Sequence, residues 1–289
     1  MTPFPDRLGA AWARNDSLVC IGLDPEIERF PRSIASSAAP ILEFNKAIIE
    51  ATADLVCAYK PQFAHYAAYG AEGELERTID YIHQHHPGIP VVLDAKRGDV
   101  GNTAKRYASE AFERYGADAV TVNPYLGFDS LEPFLAFEDR GTFVLCRTSN
   151  PGARDLQDLS IGGPAAPGAT TPGASKAARP LYQVVAEFAA TSWNARGNCG
   201  LVVGATYPAE LGEVRAIVGD MPLLVPGVGA QGGDIEQAIR HGRTRSGRGL
   251  LVSSSRAILY ASSGEDFAAA ARGAAQSLRE TINRLRVRP

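Results

Sequence analysis

No run in this 289-residue chain stays apolar for the roughly 18 residues that a membrane-spanning helix needs, so no span is expected. Residues 1–22 carry Asp6 and Asp16 and lack a continuous apolar core, which excludes a secretory signal. Cysteine is sparse. Cys20, Cys57, Cys146 and Cys199 lie far apart, each in an apolar, strand-like segment, and such thiols behave as small core hydrophobes. Neither a disulfide framework nor a metal site is expected from them, and the chain reads as cytoplasmic and reduced. Excess charge is lacking too: 29 Lys and Arg against 32 Asp and Glu give a formal net charge of −3. Nothing in that balance attracts nucleic acid.

What the chain does have is alternation. Short apolar runs, each of which reads as a strand, recur at Leu18–Asp24, Leu55–Lys60, Gly88–Leu93, Ala119–Asn123, Thr142–Cys146, Gly200–Gly204, Leu223–Val225 and Gly249–Ser253. Between them lie segments of helical period. One carries Ile41, Phe44, Ile48, Ala51 and Leu55; the next carries Leu75, Ile79 and Ile82; the third carries Ala104, Tyr107, Ala111 and Tyr115, capped by Gly116. Further helices are expected around 131–137, 181–193, 209–218, 235–241 and 267–285. Strands apolar on both faces, each followed by a helix, are the pattern of parallel strands covered by helices. Eight such rounds in one chain predict an α/β fold, a single (β/α)8 TIM barrel of one domain. Residues 151–180 interrupt it after the fifth strand with Gly, Pro, Ala, Ser and Thr. That insertion is either a disordered surface loop or a lid over the carboxyl end of the barrel.

The third strand delivers Asp94, Lys96 and, past a glycine, Asp99. Alternation of strand side chains points Asp94 and Lys96 the same way. Charges gathered at a strand end are either solvated neighbours or a site that uses them. The other strand ends contribute Asp24, Lys60, Asn123 and the run Arg147-Thr148-Ser149-Asn150. Barrel active sites form from such loops.

A second stretch, Pro226-Gly227-Val228-Gly229-Ala230-Gln231-Gly232-Gly233-Asp234, follows strand seven and contains a literal GxGxxG. A dinucleotide site would need an acidic residue about 20 positions later, and Leu250–Ser255 offers none. Phosphate suits it better: glycines admit an anion to backbone amides, the following helix presents its positive end, and Arg256 adds a fork. His83, His85 and His86 resemble a metal cluster but lack a matching acidic partner in sequence. The basic run 241–248 has no aromatics for stacking on bases and reads as a solvated loop.

Asp94-x-Lys96-x-x-Asp99-x-x-x-Thr103, with the Pro226–Gln231 loop and Arg256, resembles the signature of the orotidine 5′-monophosphate decarboxylase family. The similarity runs from about Leu18 to Tyr260, and the Ser149-Asn150-Pro151-Gly152 stretch resembles the family's longer-chain branch. Arg97-Gly98 departs from the commoner forms of the motif. The resemblance implies cofactor-free, metal-free decarboxylation of orotidine 5′-monophosphate to UMP, within pyrimidine biosynthesis. It implies a charged network of Lys60, Asp94, Lys96 and Asp99, with Lys96 as the proton donor. Asp24 and Lys60 would face the ribose, Ser149 the pyrimidine, and Gly229, Gln231 and Arg256 the phosphate. Asp99 and Thr103 would reach into the partner's site of a homodimer.

Elementary chemistry agrees. Carbon dioxide lost from a ring carbon leaves negative charge in the ring plane, which a fixed ammonium can stabilise and then protonate. Two other readings stay in view. A metal-dependent sugar-phosphate decarboxylase or aldol-type synthase of related barrels would want an acidic ligand after strand two, where this chain has Lys60. A non-catalytic nucleotide-phosphate binder would keep the glycine loop and Arg256 and have no use for the charged network.

Overall fold

A computed structural model describes residues 2–162, 178–228 and 234–286. Eight parallel strands make one sheet: β1 (Val19–Leu23), β2 (Ala58–Pro61), β3 (Val92–Arg97), β4 (Ala119–Val122), β5 (Gly141–Arg147), β6 (Cys199–Val203), β7 (Leu223–Val225) and β8 (Leu250–Ser254). Their spatial order is β2-β1-β8-β7-β6-β5-β4-β3. The two edges meet through the single bridges Tyr59–Val91 and Gln62–Asp94, which turn the sheet into the expected barrel. The shortest strands, β2, β4 and β7, are buried along their whole length. That double-sided burial is why they read as continuous apolar runs.

The helices that cover the barrel include α1 (Phe4–Arg14), α2 (Pro40–Thr52), α3 (Glu72–His85), α4 (Gly101–Ser109), α5 (Phe128–Leu135), α6 (Leu181–Phe188), α7 (Pro208–Val218), α8 (Ile235–Gly242) and α9 (Phe267–Arg286). Among the described residues no helix is long and apolar enough to cross a membrane. All four cysteines are buried and free.

Three details depart from the sequence reading. The second strand begins at Ala58 rather than Leu55, because α2 ends at Thr52 and a 3-10 turn covers Ala53–Leu55. The carbonyls there are taken by side chains from the segment after α1: Asn15 Nδ2 donates to Ala53 O at 2.8 Å and Val56 O at 2.7 Å, and Ser17 Oγ to Leu55 O at 2.6 Å. The helix expected over 181–193 stays α-helical to Phe188 and widens into a π turn over Ala189–Trp193.

The third departure is α1, which the strand-and-helix count omitted. Phe4, Leu8, Ala11 and Trp12 form its buried stripe. Phe4 lies edge-on to Phe143 with ring centres 5.8 Å apart, in space that a Cβ on Gly141 would need. Trp12 Nε1 donates to Leu250 O at 3.0 Å. The helix therefore floors the amino end of the barrel, and polar chemistry is left to the carboxyl end.

Candidate active site

Lys60, buried to 5% exposure on β2, donates from Nζ to Asp94 Oδ2 at 3.0 Å. Lys96 reaches the other oxygen of the same carboxylate, Nζ to Oδ1 at 2.6 Å, with its side chain still 44% exposed. Thr121 of β4 donates its hydroxyl to Asp94 Oδ1 at 2.9 Å and accepts from the backbone N–H of Lys96 at 3.0 Å. One buried anion thus sits between two ammoniums and a hydroxyl.

The backbone that allows this is unusual. Lys96 has φ +47°, one of two non-glycine residues in the left-handed region among those described. A β-branch-free side chain there still costs about 1–2 kcal/mol. The ladder of β3 with β4 shifts register between Leu93 and Arg97 at the same place. Asp94 and Lys96 therefore meet through a bulge, not through plain alternation. Arg97 leaves the site altogether. Its guanidinium pairs with both oxygens of Glu110 at 2.9–3.1 Å and stacks between Phe63 and Tyr107. Gly98 follows where a Cβ would lie 3.3 Å from Asn123, so the exits of β3 and β4 can run close together.

Charge in the cluster is self-consistent. Burial alone would raise the Asp94 carboxyl, but Lys60 and Lys96 hold it well below the usual carboxylate range. Burial alone would strip the Lys60 proton, but Asp94 and then Asp24 hold that ammonium above the ordinary lysine value. Both groups are therefore ionised at neutral pH.

A cavity of about 420 Å³ opens beside the cluster, bounded by Lys60, Asp94 and Lys96 on one side and by Thr148, Ser149 and Gln157 on the other. Leu145, Val202, Leu224 and Pro226 give it an apolar wall. Ser149 is held against β6: a Cβ on Gly204 would fall 2.8 Å from Ser149 Cβ and 2.9 Å from its backbone nitrogen. The loop that carries it closes on itself. Gln157 Oε1 accepts from Thr148 N at 2.8 Å, and Gln157 Nε2 donates to Thr148 Oγ1 at 2.9 Å. Arg147, wholly buried, anchors the base of that loop, packed 3.9 Å over the Tyr207 ring and paired with Asp158 at 3.2 Å.

The other expected site residues divide. Asp24 follows the last residue of β1, with one carboxylate oxygen buried and unpartnered among the described residues, close enough to Lys60 to bias its charge. Within one chain Asp99 does not meet Lys96; its Oδ1 accepts from Val100 N at 2.7 Å, and Thr103 is exposed on α4. Arg256 is exposed at the start of the short helix Arg256–Leu259. Gly229 and Gln231 lie outside the described residues. The helix behind them does not offer a bare positive end: Asp234 Oδ1 already accepts from Glu236 N at 2.8 Å and Gln237 N at 3.2 Å. The histidines do have acidic neighbours, contrary to the sequence reading, but two separate ones. His83 pairs with Asp118 and His86 with Glu50. Among the described residues no three His, Cys, Asp or Glu side chains gather as a metal set. Asn123 caps its own turn, accepting from Tyr125 N at 3.0 Å.

Thr121 and Gln157 were not singled out from sequence. Thr121 left a faint signal, a lone hydroxyl inside Ala119–Val122. Gln157 left none, being one polar residue in a polar insertion.

Comparison with known proteins places the chain among decarboxylases. The sequence profile described as "Orotidine 5'-phosphate decarboxylase / HUMPS family" matches residues 17–272. A protein of Cupriavidus necator named orotidine 5′-phosphate decarboxylase is 58% identical over 283 residues, covering 98% of each chain. The solved structure of Leishmania donovani OMP decarboxylase superposes with TM-score 0.81 at 40% identity, covering 100% of both chains. The L. donovani UMP synthase structure gives 0.83 at 42% identity; it covers 99% of this chain, which spans 56% of that longer one.

Proposed function

The chain belongs to the orotidine 5′-phosphate decarboxylase / HUMPS family, and from that membership we propose that it converts orotidine 5′-monophosphate to UMP and carbon dioxide. The observation that carries the reading is the pair of ammoniums sharing one buried carboxylate at the rim of a cavity. In the step, the bond from the ring carbon to the carboxylate breaks and its electron pair stays on carbon. The Lys96 ammonium faces that developing charge, stabilises it and delivers a proton to it. The neutral amine left behind regains its proton from water, favoured by Asp94 alongside. Lys60 and Asp24 bind the ribose hydroxyls, Ser149 the base, and Gly229, Gln231 and Arg256 the phosphate. Because Asp234 occupies the end of α8, the phosphate grip falls to the glycine loop and Arg256.

Asp99 and Thr103 are proposed to act in a partner's site, so the working unit is a homodimer. Support comes from their failure to reach the cavity of their own chain. Exposed apolar side chains nearby agree: Val100, Tyr125, Leu126 and Phe128, the second of them 78% exposed. No cofactor or metal is assigned to the step, and the buried, free cysteines suit a cytoplasmic enzyme.

The rival from a related barrel family, a metal-dependent sugar-phosphate decarboxylase or aldol-type synthase, is disfavoured because Lys60 holds the place of an acidic ligand and its charge would repel a divalent cation. Purified protein mixed with orotidine 5′-monophosphate in EDTA tests both readings. The expected result is a full shift of the pyrimidine absorbance to that of UMP at a rate indifferent to the chelator. No conversion would refute the activity, and loss of conversion in EDTA would return the metal reading.

A further inference from the structure

Lys96 is held in a left-handed backbone conformation that a lysine does not choose alone, so something fixed must hold it there. The group that touches both the strained peptide and the carboxylate is Thr121. It is 1% exposed on β4, the strand that pairs with β3 across the register shift. Its hydroxyl accepts from Lys96 N at 3.0 Å and donates to Asp94 Oδ1 at 2.9 Å. The same oxygen of Asp94 takes the Lys96 ammonium at 2.6 Å. A closed ring therefore runs from Lys96 N through Thr121 and Asp94 back to Lys96 Nζ, and it fixes the two ends of the lysine against each other. Below it, Asn123 N donates to Arg97 O at 2.8 Å and ties the next peptide of the bulge to β4 as well.

We propose that Thr121 is a positioning residue for the decarboxylation, which sets where the Lys96 ammonium stands by fixing its backbone and its counter-ion together. The inference rests on the activity proposed above. Removing the hydroxyl leaves one lone pair of the buried Asp94 and the part-buried Lys96 N without that partner, so both can relax and the ammonium moves off the reacting carbon. Thr121 itself lines the cavity, and valine keeps its shape there, so binding of the nucleotide is expected to survive.

The test compares wild type, Thr121→Val, which keeps the shape and loses the hydroxyl, and Thr121→Ser, which restores it. For Thr121→Val, kcat should fall by about tenfold or more, with KM and UMP affinity within about twofold. Calorimetric titration should still count one UMP per chain, which separates misplacement from partial unfolding. Thr121→Ser should recover most of the lost kcat. If the valine chain does not fold, Thr121→Ala is judged by the same criteria. A valine or alanine variant with wild-type kcat, or a serine variant no better than either, overturns the proposal. A wild-type protein that leaves orotidine 5′-monophosphate unchanged would instead overturn the activity on which it rests.

Discussion

Asp94 carries two cations on one carboxylate, and that environment gives it a structural role beside the catalytic one proposed for it. Its pKa is held below the ordinary 3.8 by Lys60 and Lys96, against the pull of burial. A group depressed in this way lends stability that is fully present above its unfolded pKa and is lost as pH falls through the folded one. Asp94→Asn abolishes that contribution and strands the Lys60 ammonium in a buried place, a loss of about 3–5 kcal/mol by analogy with other broken buried pairs. Urea midpoints should therefore differ between wild type and Asp94→Asn by a constant amount from about pH 5 to 8 and converge as pH falls below 3.8. A gap that persists unchanged into strong acid would contradict the pairing. The identities of these residues were legible in the sequence, since charges at the end of an apolar run are conspicuous. Their geometry was not: alternation put Asp94 and Lys96 together for the wrong reason, because the left-handed turn at Lys96 leaves no mark in composition.

Elements carry the site through close approach. The exit of β5 lies on β6 only because Gly204 has no side chain; its backbone N–H donates to Arg147 O at 2.7 Å. Gly204→Ala places a methyl 2.8–2.9 Å from Ser149 backbone and Cβ atoms, contacts that only a shift of the loop can relieve. The expected outcome is a fold that melts cooperatively, with KM raised several-fold as Ser149 leaves the position proposed to face the base. An unchanged KM would show that Ser149 does not help to seat the substrate. At this scale the eight strand–helix rounds were readable because fully buried strands and amphipathic helices impose different apolar periods. Two elements were not. The stripe Phe4-Leu8-Ala11-Trp12 precedes the first strand, outside the repeating unit, and was passed over. The two-residue ladder of Ser160–Ile161 with Arg179–Pro180 joins the ends of the insertion and is too short to have a period.

For the whole molecule, the consequence is a division of ends. Helix α1 packs the amino end, and the carboxyl end holds a cavity whose proposed complement comes from a second copy. If Asp99 crosses to the partner, a Lys96→Ala chain and an Asp99→Ala chain, each inactive alone, should regain turnover when mixed and allowed to exchange subunits. One site of the mixed dimer then has both side chains intact. Asp99 serving its own chain would give no recovery.

The claim on which the rest depends is that the Lys96 ammonium acts on the reacting carbon rather than on binding. Lys96→Ala tests it most directly, with kcat for orotidine 5′-monophosphate and Kd for UMP measured on the same preparation. The account predicts loss of at least about a thousandfold in kcat, as expected when a charge that acts in the transition state is removed, with UMP affinity within about tenfold of wild type. A variant that turns over at the wild-type rate, or one that loses UMP in proportion to its turnover, would contradict it.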